Sequence, residues 1–268
     1  MDKSEKKVAL ITGGAMGQGR THAVAFASAG YDVVLLDMLD PEAEQFRTTV
    51  EQVQAAGGTA LAIKANICST PEMEAAFVTA WERFGRLDVV VANAGIINFG
   101  YTWELTDDQV EKALSVNLEG TWRTDKYAAQ YMRKQGYGRI INISSVSGLK
   151  GTAQLATYCM TKFGIIGLTK TLALELQSEG LPIYVNVVCH TKVRTPMCET
   201  DTYVDFVNST MGKSFATWQE MFEDEKNPGG LKFLNPEDVT EMVMWLADSD
   251  AATKFNGREI VVDRGAML

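Results

Sequence analysis

Histidine is nearly absent, with two in 268 residues, and this leaves no material for a histidine-based metal centre. The four cysteines, Cys68, Cys159, Cys189 and Cys198, include no CxxC pair and no metal-type spacing. They read as the reduced thiols of a cytoplasmic protein. Proline is scarce at six residues, and no Pro- or Ser-rich linker, repeat or low-complexity tract divides the chain. The expectation is one domain over residues 1–268. Positive charge is the minority sign: 25 Lys and Arg against 34 Asp and Glu give a net charge of −9. That balance argues against a nucleic-acid partner, because phosphate neutralisation requires a basic face. No run approaches the roughly 18 apolar residues of a membrane span. Residues 1–7 carry both signs of charge, and the apolar run 8–11 behind them is too short for a secretory signal. A cytoplasmic protein with no nucleic-acid or membrane partner is expected.

Hydrophobic residues make up 46% of the chain, ample for a core. Residues 8–12, 32–37, 59–65, 87–92, 139–144, 183–188 and 258–262 read as strands. Between them 22–29, 41–56, 71–84, 156–179 and 236–246 read as helices. Another helix is opened by a Thr106/Gln109 capping box and runs to about Glu119. Pro41 is placed in the first turn of its helix, Gly57-Gly58 at its stop, and Asn235 as the cap of the last helix. Apolar strands alternating with helices mean a parallel sheet covered on both faces. The fold class is therefore α/β: a single Rossmann-type doubly wound parallel sheet with helices on both faces. The stretch 192–232 has no strand pattern, is rich in Met and aromatics, and reads as a lid.

The first strand runs into Thr12-Gly-Gly-Ala-Met-Gly-Gln-Gly19. Gly13, Gly17 and Gly19, with Met16 and Gln18 between them, sit where a strand turns sharply into a helix. There the backbone can approach a pyrophosphate, and helix N–H groups can hold it. Asp37 ends the second strand about 20 residues on, where a carboxylate accepts from ribose hydroxyls and repels a 2′-phosphate. A plain loop acid is the competing reading. Met38 adds no cation, and Arg20 reads as a solvated first-turn residue, so NAD is favoured over NADP.

These residues, followed in order by Asn93-Ala-Gly95, Asn117, Ser145 and Tyr158-x-x-x-Lys162, resemble the short-chain dehydrogenase/reductase family over residues 8–265. Tyr158 and Lys162 are four apart on a predicted helix and share one face. A phenol near pKa ~10 is a poor base. A neighbouring ammonium and a positive nicotinamide ring are expected to pull it down, making Tyr158 the acid/base. The resemblance implies that Lys162 holds the nicotinamide ribose and that Asn117 anchors a relay water. It also implies that Ser145 bonds the substrate oxygen, with Ser144 as the competing candidate. It places Asn66, where the family commonly has Asp, and Ile67 at the adenine. Asn93, Ala94 and Gly95 lie beside the cofactor, although a purely structural turn is equally compatible. Val193, Thr195 and Met197 are expected to reach the nicotinamide carboxamide. The family's common Pro-Gly after the sixth strand is His190-Thr191 here; His190 is open between a substrate neighbour and a packed loop histidine. Family members are commonly tetramers packed through the helices holding Asn117 and Tyr158, so a homo-oligomer is implied.

Beyond Thr195 the lid carries Met197, Tyr203, Phe206, Met211, Phe215, Trp218, Met221 and Phe222, with Ile96, Ile97, Phe99 and Trp103 as the facing wall. Thioethers and aromatic faces suit a bulky apolar alcohol such as a steroid, bile acid or terpenoid. Packing of lid helices onto the core is the competing use for half of them. Gly17-Gln-Gly-Arg-x-His-Ala23, Val91-Ala-Asn-Ala-Gly95 and Thr195-Pro-Met197 are similar to carveol-dehydrogenase-like members, some of them mycofactocin-coupled. The insertion those coupled members usually carry after the second strand is absent, which implies freely exchanging NAD. The expected activity is NAD-dependent interconversion of such an alcohol and its ketone. The alternatives are a 3-oxoacyl-carrier reductase and a non-catalytic NAD-sensing protein.

Overall fold

Val8, Ala9, Leu10 and Ile11 are all fully buried, as a strand with helices on both faces requires. They form β1 (Val8–Thr12) in a computed structural model that describes residues 6–267. Residues 1–5 of the charged opening, and residue 268 of the domain reading, lie outside the described residues. In chain order there follow α1 (Gly17–Ser28), β2 (Asp32–Asp37), α2 (Glu44–Ala55), β3 (Ala60–Lys64), α3 (Thr70–Phe84) and β4 (Val89–Ala92). Next come α4 (Asp107–Ala113), a π-helical turn (Leu114–Glu119), α5 (Gly120–Gln135), β5 (Gly138–Ile143), α6 (Ala156–Ser178) and β6 (Ile183–His190). The chain closes with α7 (Asp201–Met211), α8 (Trp218–Glu223), α9 (Pro236–Asp248) and β7 (Glu259–Val262).

The strands form one sheet in the order β3-β2-β1-β4-β5-β6-β7, every pairing parallel. Side-chain alternation divides the core in two. Ala9 and Ile11 pack with Phe26, Phe46 and Val243 on the α1/α2/α9 face. Val8 and Leu10 pack with Phe77, Tyr127 and Leu176 on the α3/α5/α6 face. Strand order reverses between β1 and β4, so a crevice opens outside their carboxyl ends. Among the described residues no helix is long and apolar enough to cross a membrane, and no group of three or more His, Cys, Asp or Glu could hold a metal ion.

Three elements depart from the sequence pattern. The first helix begins at Gly17, not at residue 22, so the second half of the glycine loop is itself the first helical turn. Pro41 lies outside α2; Asp40 accepts from Glu42 N–H at 3.1 Å and makes a turn there instead. The Thr106/Gln109 box does cap its helix, but the helical path does not stop near Glu119. It passes through the π turn and continues to Gln135. Gly120, just past the expected end, is helical (φ −63°). A Cβ there would lie 2.6 Å from Ile67 Cδ1, so glycine serves close packing of α5 rather than termination.

Candidate active site

The turn after β1 needs glycine at two positions: Gly13 has φ +67° and Gly17 φ +55°, a region that side chains resist. A Cβ on Gly19 would overlap the Gly13 carbonyl, so the turn can close only with glycine there. Thr12 and Asn93 lock it. Thr12 Oγ1 accepts from the N–H groups of Asn93 (3.0 Å) and Ala94 (3.2 Å), and Asn93 Nδ2 donates to the carbonyls of Thr12 (3.0 Å) and Gly13 (3.4 Å). Asn93 thus buttresses the phosphate turn from beneath, a role that strand-end position alone does not reveal. Thr12 opens the glycine motif in sequence, but its role as the acceptor for the β4 loop shows only in the fold.

Asp37 is oriented by two backbone donors, Ala15 N–H and Leu39 N–H, each at 3.1 Å. Each carboxylate oxygen keeps a lone pair for ribose hydroxyls. Arg20 is half-buried and engaged within the protein: it donates to Thr49 Oγ1 (2.8 Å) and to the carbonyls of Ala15 (2.9 Å) and Gln45 (2.8 Å). Met38 beside Asp37 is 71% exposed and uncharged. The residues present therefore fit a dinucleotide with free ribose hydroxyls and leave no unengaged cation from this turn for a 2′-phosphate. Asn66 is exposed at the end of the same edge, and its Oδ1 already accepts from Cys68 N–H at 3.0 Å. One lone pair and the amide N–H groups remain for an adenine. Ile67 is turned inward against Gly120.

Beyond β5, two adjacent serines take opposite directions. Ser144 is fully buried and its hydroxyl donates to the Lys162 carbonyl at 2.9 Å. Ser145 lies beside the Tyr158 hydroxyl, whose pKa it lowers, and accepts from Ser147 N–H at 3.1 Å. Ser145 is thus the serine that stands with Tyr158. Lys162 Nζ lies 5.3 Å from the Tyr158 ring centroid and donates to the Ile143 carbonyl at 2.8 Å. Asn117, in the π turn, clamps the Ile96 peptide: its Oδ1 accepts from Ile96 N–H (2.8 Å) and its Nδ2 donates to Ile96 O (2.9 Å). Its Nδ2 also reaches Thr161 Oγ1 at 3.3 Å, and Thr161 in turn donates to the Tyr158 carbonyl at 2.9 Å. A π turn at a functional position is a recurrent device, and here it carries a side chain that ties the β4 loop to α6.

Burial pushes the Tyr158 phenol above its ordinary value, and the neighbouring Ser145 side chain opposes this. Burial also lowers Lys162, to about 8. In the protein alone desolvation dominates at the phenol; the expected fall depends also on the positive nicotinamide ring, which acts only when the cofactor is bound.

The lid residues converge on Tyr158. Phe206 and Tyr203 of α7, with Met221 and Phe222 of α8, form one cluster with Leu155 and Tyr158, against which Ile97, Phe99, Phe215 and Trp218 pack. Phe99 stacks on Phe206 at 4.6 Å. Trp103 does not join this wall: it is 80% exposed and stacks on Tyr101. Met197 and Met211 stay partly exposed outside the cluster. The Val193 carbonyl accepts from Cys198 Sγ at 3.2 Å and Thr195 Oγ1 at 3.4 Å, which draws the segment after β6 into a tight turn. Gly95 faces the site: a Cβ on it would lie 3.3 Å from Asn117 Oδ1 and 3.9 Å from Lys162 Nζ. His190 is buried with its Nε2 3.3 Å from Gln18 Nε2 and its Nδ1 2.7 Å from Thr191 O. It sits beneath the glycine turn rather than in the lid cluster, and the Gln18 side chain is turned to it rather than to the crevice mouth.

Residues 7–203 match the family described as short chain dehydrogenase. The chain is 37% identical to an uncharacterized NAD-dependent oxidoreductase of Mycobacterium tuberculosis, over 97% of this chain and 96% of the relative. It is 32% identical to (-)-trans-carveol dehydrogenase of Rhodococcus erythropolis over 100% of both. A crystal structure of carveol dehydrogenase from Mycobacterium avium in complex with NAD superposes with a TM-score of 0.88 at 27% identity, covering 100% of this chain and 99% of that one.

Proposed function

The chain belongs to the short-chain dehydrogenase family, and from that premise we propose that it interconverts a bulky apolar secondary alcohol and its ketone using NAD(H). The observation that carries this reading is the placement of Ser145 beside Tyr158 beneath an aromatic lid, with Lys162 on the same helix face. NAD, when bound, supplies the hydride acceptor and a positive ring beside the phenol. The α1 N-terminus would hold the pyrophosphate, Asp37 the adenosine ribose and Asn66 the adenine. Lys162 would hold the nicotinamide ribose, and Val193 and Thr195 the carboxamide. Tyr158 takes the alcohol proton in the oxidative direction and returns it to the carbonyl oxygen in the reductive one. Ser145 orients that oxygen and supplies a hydrogen bond as charge develops on it. Asn117 acts first through Ile96, holding the loop that carries Ile97 and Phe99 against the substrate side. The lid cluster excludes water and offers aromatic faces to an alicyclic skeleton of the steroid, bile-acid or terpenoid kind.

The same reading takes residues 1–268 as one cytoplasmic domain in a homo-oligomer. Trp122 of α5 and Met160, Phe163 and Leu174 of α6 are exposed, which supports assembly through those helices. The test is reduction of NAD and NADP across a panel of steroid, bile-acid and terpenoid alcohols. NAD-dependent turnover of one class is expected. Preference for NADP would overturn the role of Asp37, and turnover of 3-oxoacyl thioesters alone would overturn the substrate class.

A further inference from the structure

We propose that Gln18 and His190 form a positioning pair that locks the pyrophosphate-binding turn to the nicotinamide-binding segment, holding the two at fixed separation. Gln18 is the second residue of α1, and His190 is the last of β6, immediately before the segment carrying Val193 and Thr195. Their bond, 3.3 Å between the two Nε2 atoms, joins positions 172 apart in sequence. Its polarity is fixed. His190 Nδ1 lies 2.7 Å from a carbonyl, which can only accept, so Nδ1 carries the proton. Burial lowers the imidazole to about 4, so the ring is neutral and its Nε2 presents a lone pair. The Gln18 amide must then donate. Turned over, it would set Oε1 against that lone pair.

The surroundings make this bond a brace rather than a stray contact. His190-Thr191 contains no proline, so no ring fixes the backbone where β6 ends. Thr191 N–H is tied to Val262 O at 3.1 Å, which leaves the glycine turn as the partner still to be secured. The two segments are already close: a Cβ on Gly17 would lie 3.7 Å from Pro196 Cδ and 3.9 Å from Thr195 Cβ. One turn further along α1, His22 Nδ1 lies 2.7 Å from Thr240 Oγ1. That hydroxyl donates to Pro236 O, so His22 donates to it and pins α1 to α9. Among the described residues Gln18 Oε1 is buried without a partner, and the bond to His190 is the one that orients the carboxamide. A group left unpaired in this way calls for a reason, and the brace supplies one.

The inference rests on the assignment of NAD to this crevice. It predicts that a ligand touching both segments suffers when the pair is broken, whereas one touching only the turn does not. Gln18→Met, His190→Ala and the double variant are titrated with NADH, by fluorescence, and with ADP-ribose, by calorimetry; thermal melts confirm folding. Each single variant is expected to weaken NADH about tenfold, and for His190→Ala, which lies outside the pyrophosphate turn, ADP-ribose affinity should be unchanged within about twofold. The double variant should be no worse than either single one, as for two halves of one interaction. Parallel loss of both ligands in His190→Ala, unchanged NADH affinity, or additive effects in the double variant would overturn the proposal. Wild-type protein that binds ADP-ribose and no NADH would overturn it through the reading beneath it, and that result is distinct from the others.

Discussion

Replacing Asp125 by asparagine should stabilise the protein increasingly as pH rises. Asp125 of α5 is buried, and its Oδ2 accepts from Asn142 Nδ2 at 2.9 Å. The second Asn142 amide hydrogen goes to Thr169 Oγ1, also at 2.9 Å. The remaining oxygens, Asp125 Oδ1 and Asn142 Oδ1, are buried with no partner among the described residues, so the cluster has one donor too few. Burial raises the Asp125 carboxyl from 3.8 to about 7, and the proton retained supplies the missing donor. The folded state then holds a proton that the unfolded chain has lost, so stability falls as pH rises from 3.8 to about 7 and levels off above. At about 1.4 kcal/mol per pK unit, the interval from pH 5.5 to about 7 corresponds to ~2 kcal/mol. An asparagine side chain at this position would bring an N–H donor without charge. The advantage of Asp125→Asn over wild type should widen by that amount between pH 5.5 and pH 8, or roughly 4–8 °C in Tm. Differential scanning calorimetry at both pH values tests it. A gap in Tm that does not change with pH would refute the reasoning.

Ser145→Ala should lower kcat by about a hundredfold or more, whereas Ser144→Ala should leave chemistry intact and cost about 1 kcal/mol in urea unfolding through its lost bond to Lys162 O. Asp37→Ser combined with Met38→Arg should move the ratio of kcat/KM values toward NADP, because a carboxylate is replaced by a cation beside the 2′ position; an unchanged ratio would remove Asp37 from the adenosine ribose. His22 and His190 are lowered from 6.5 to about 3 and about 4 by burial, so below pH 6.5 the unfolded chain takes protons that the folded one refuses. Because Asp125 contributes one proton of opposite sign over the same interval, stability should fall from pH 6.5 toward pH 4 with a net slope of about one proton, and His22→Gln should nearly abolish that slope in denaturant titrations.

Local pattern was enough to place the glycine turn, Asp37 at its strand end and every strand, and to put Tyr158 and Lys162 on one helix face. Each depends on spacing within one element or across one turn, and the period of a buried strand is written in its own residues. The path of the chain through Gly120 was not legible, because the residue that requires a glycine there, Ile67, lies beyond β3, far back in the chain. Ser144 and Ser145 are chemically identical neighbours, and only the direction of the chain leaving β5 turns one to Lys162 O and the other to Tyr158. The same holds for Trp103, an apolar side chain that the loop turns outward, and for His190, whose partner Gln18 arrives from the opposite end of the sequence. The rise of the Tyr158 phenol likewise needed the folded protein: a four-residue spacing shows that an ammonium is near, but desolvation depends on everything packed around it. Charge, turn chemistry and periodicity are short-range properties that a sequence carries openly. Burial and the direction of a hydrogen bond are set by atoms that meet only when distant segments pack.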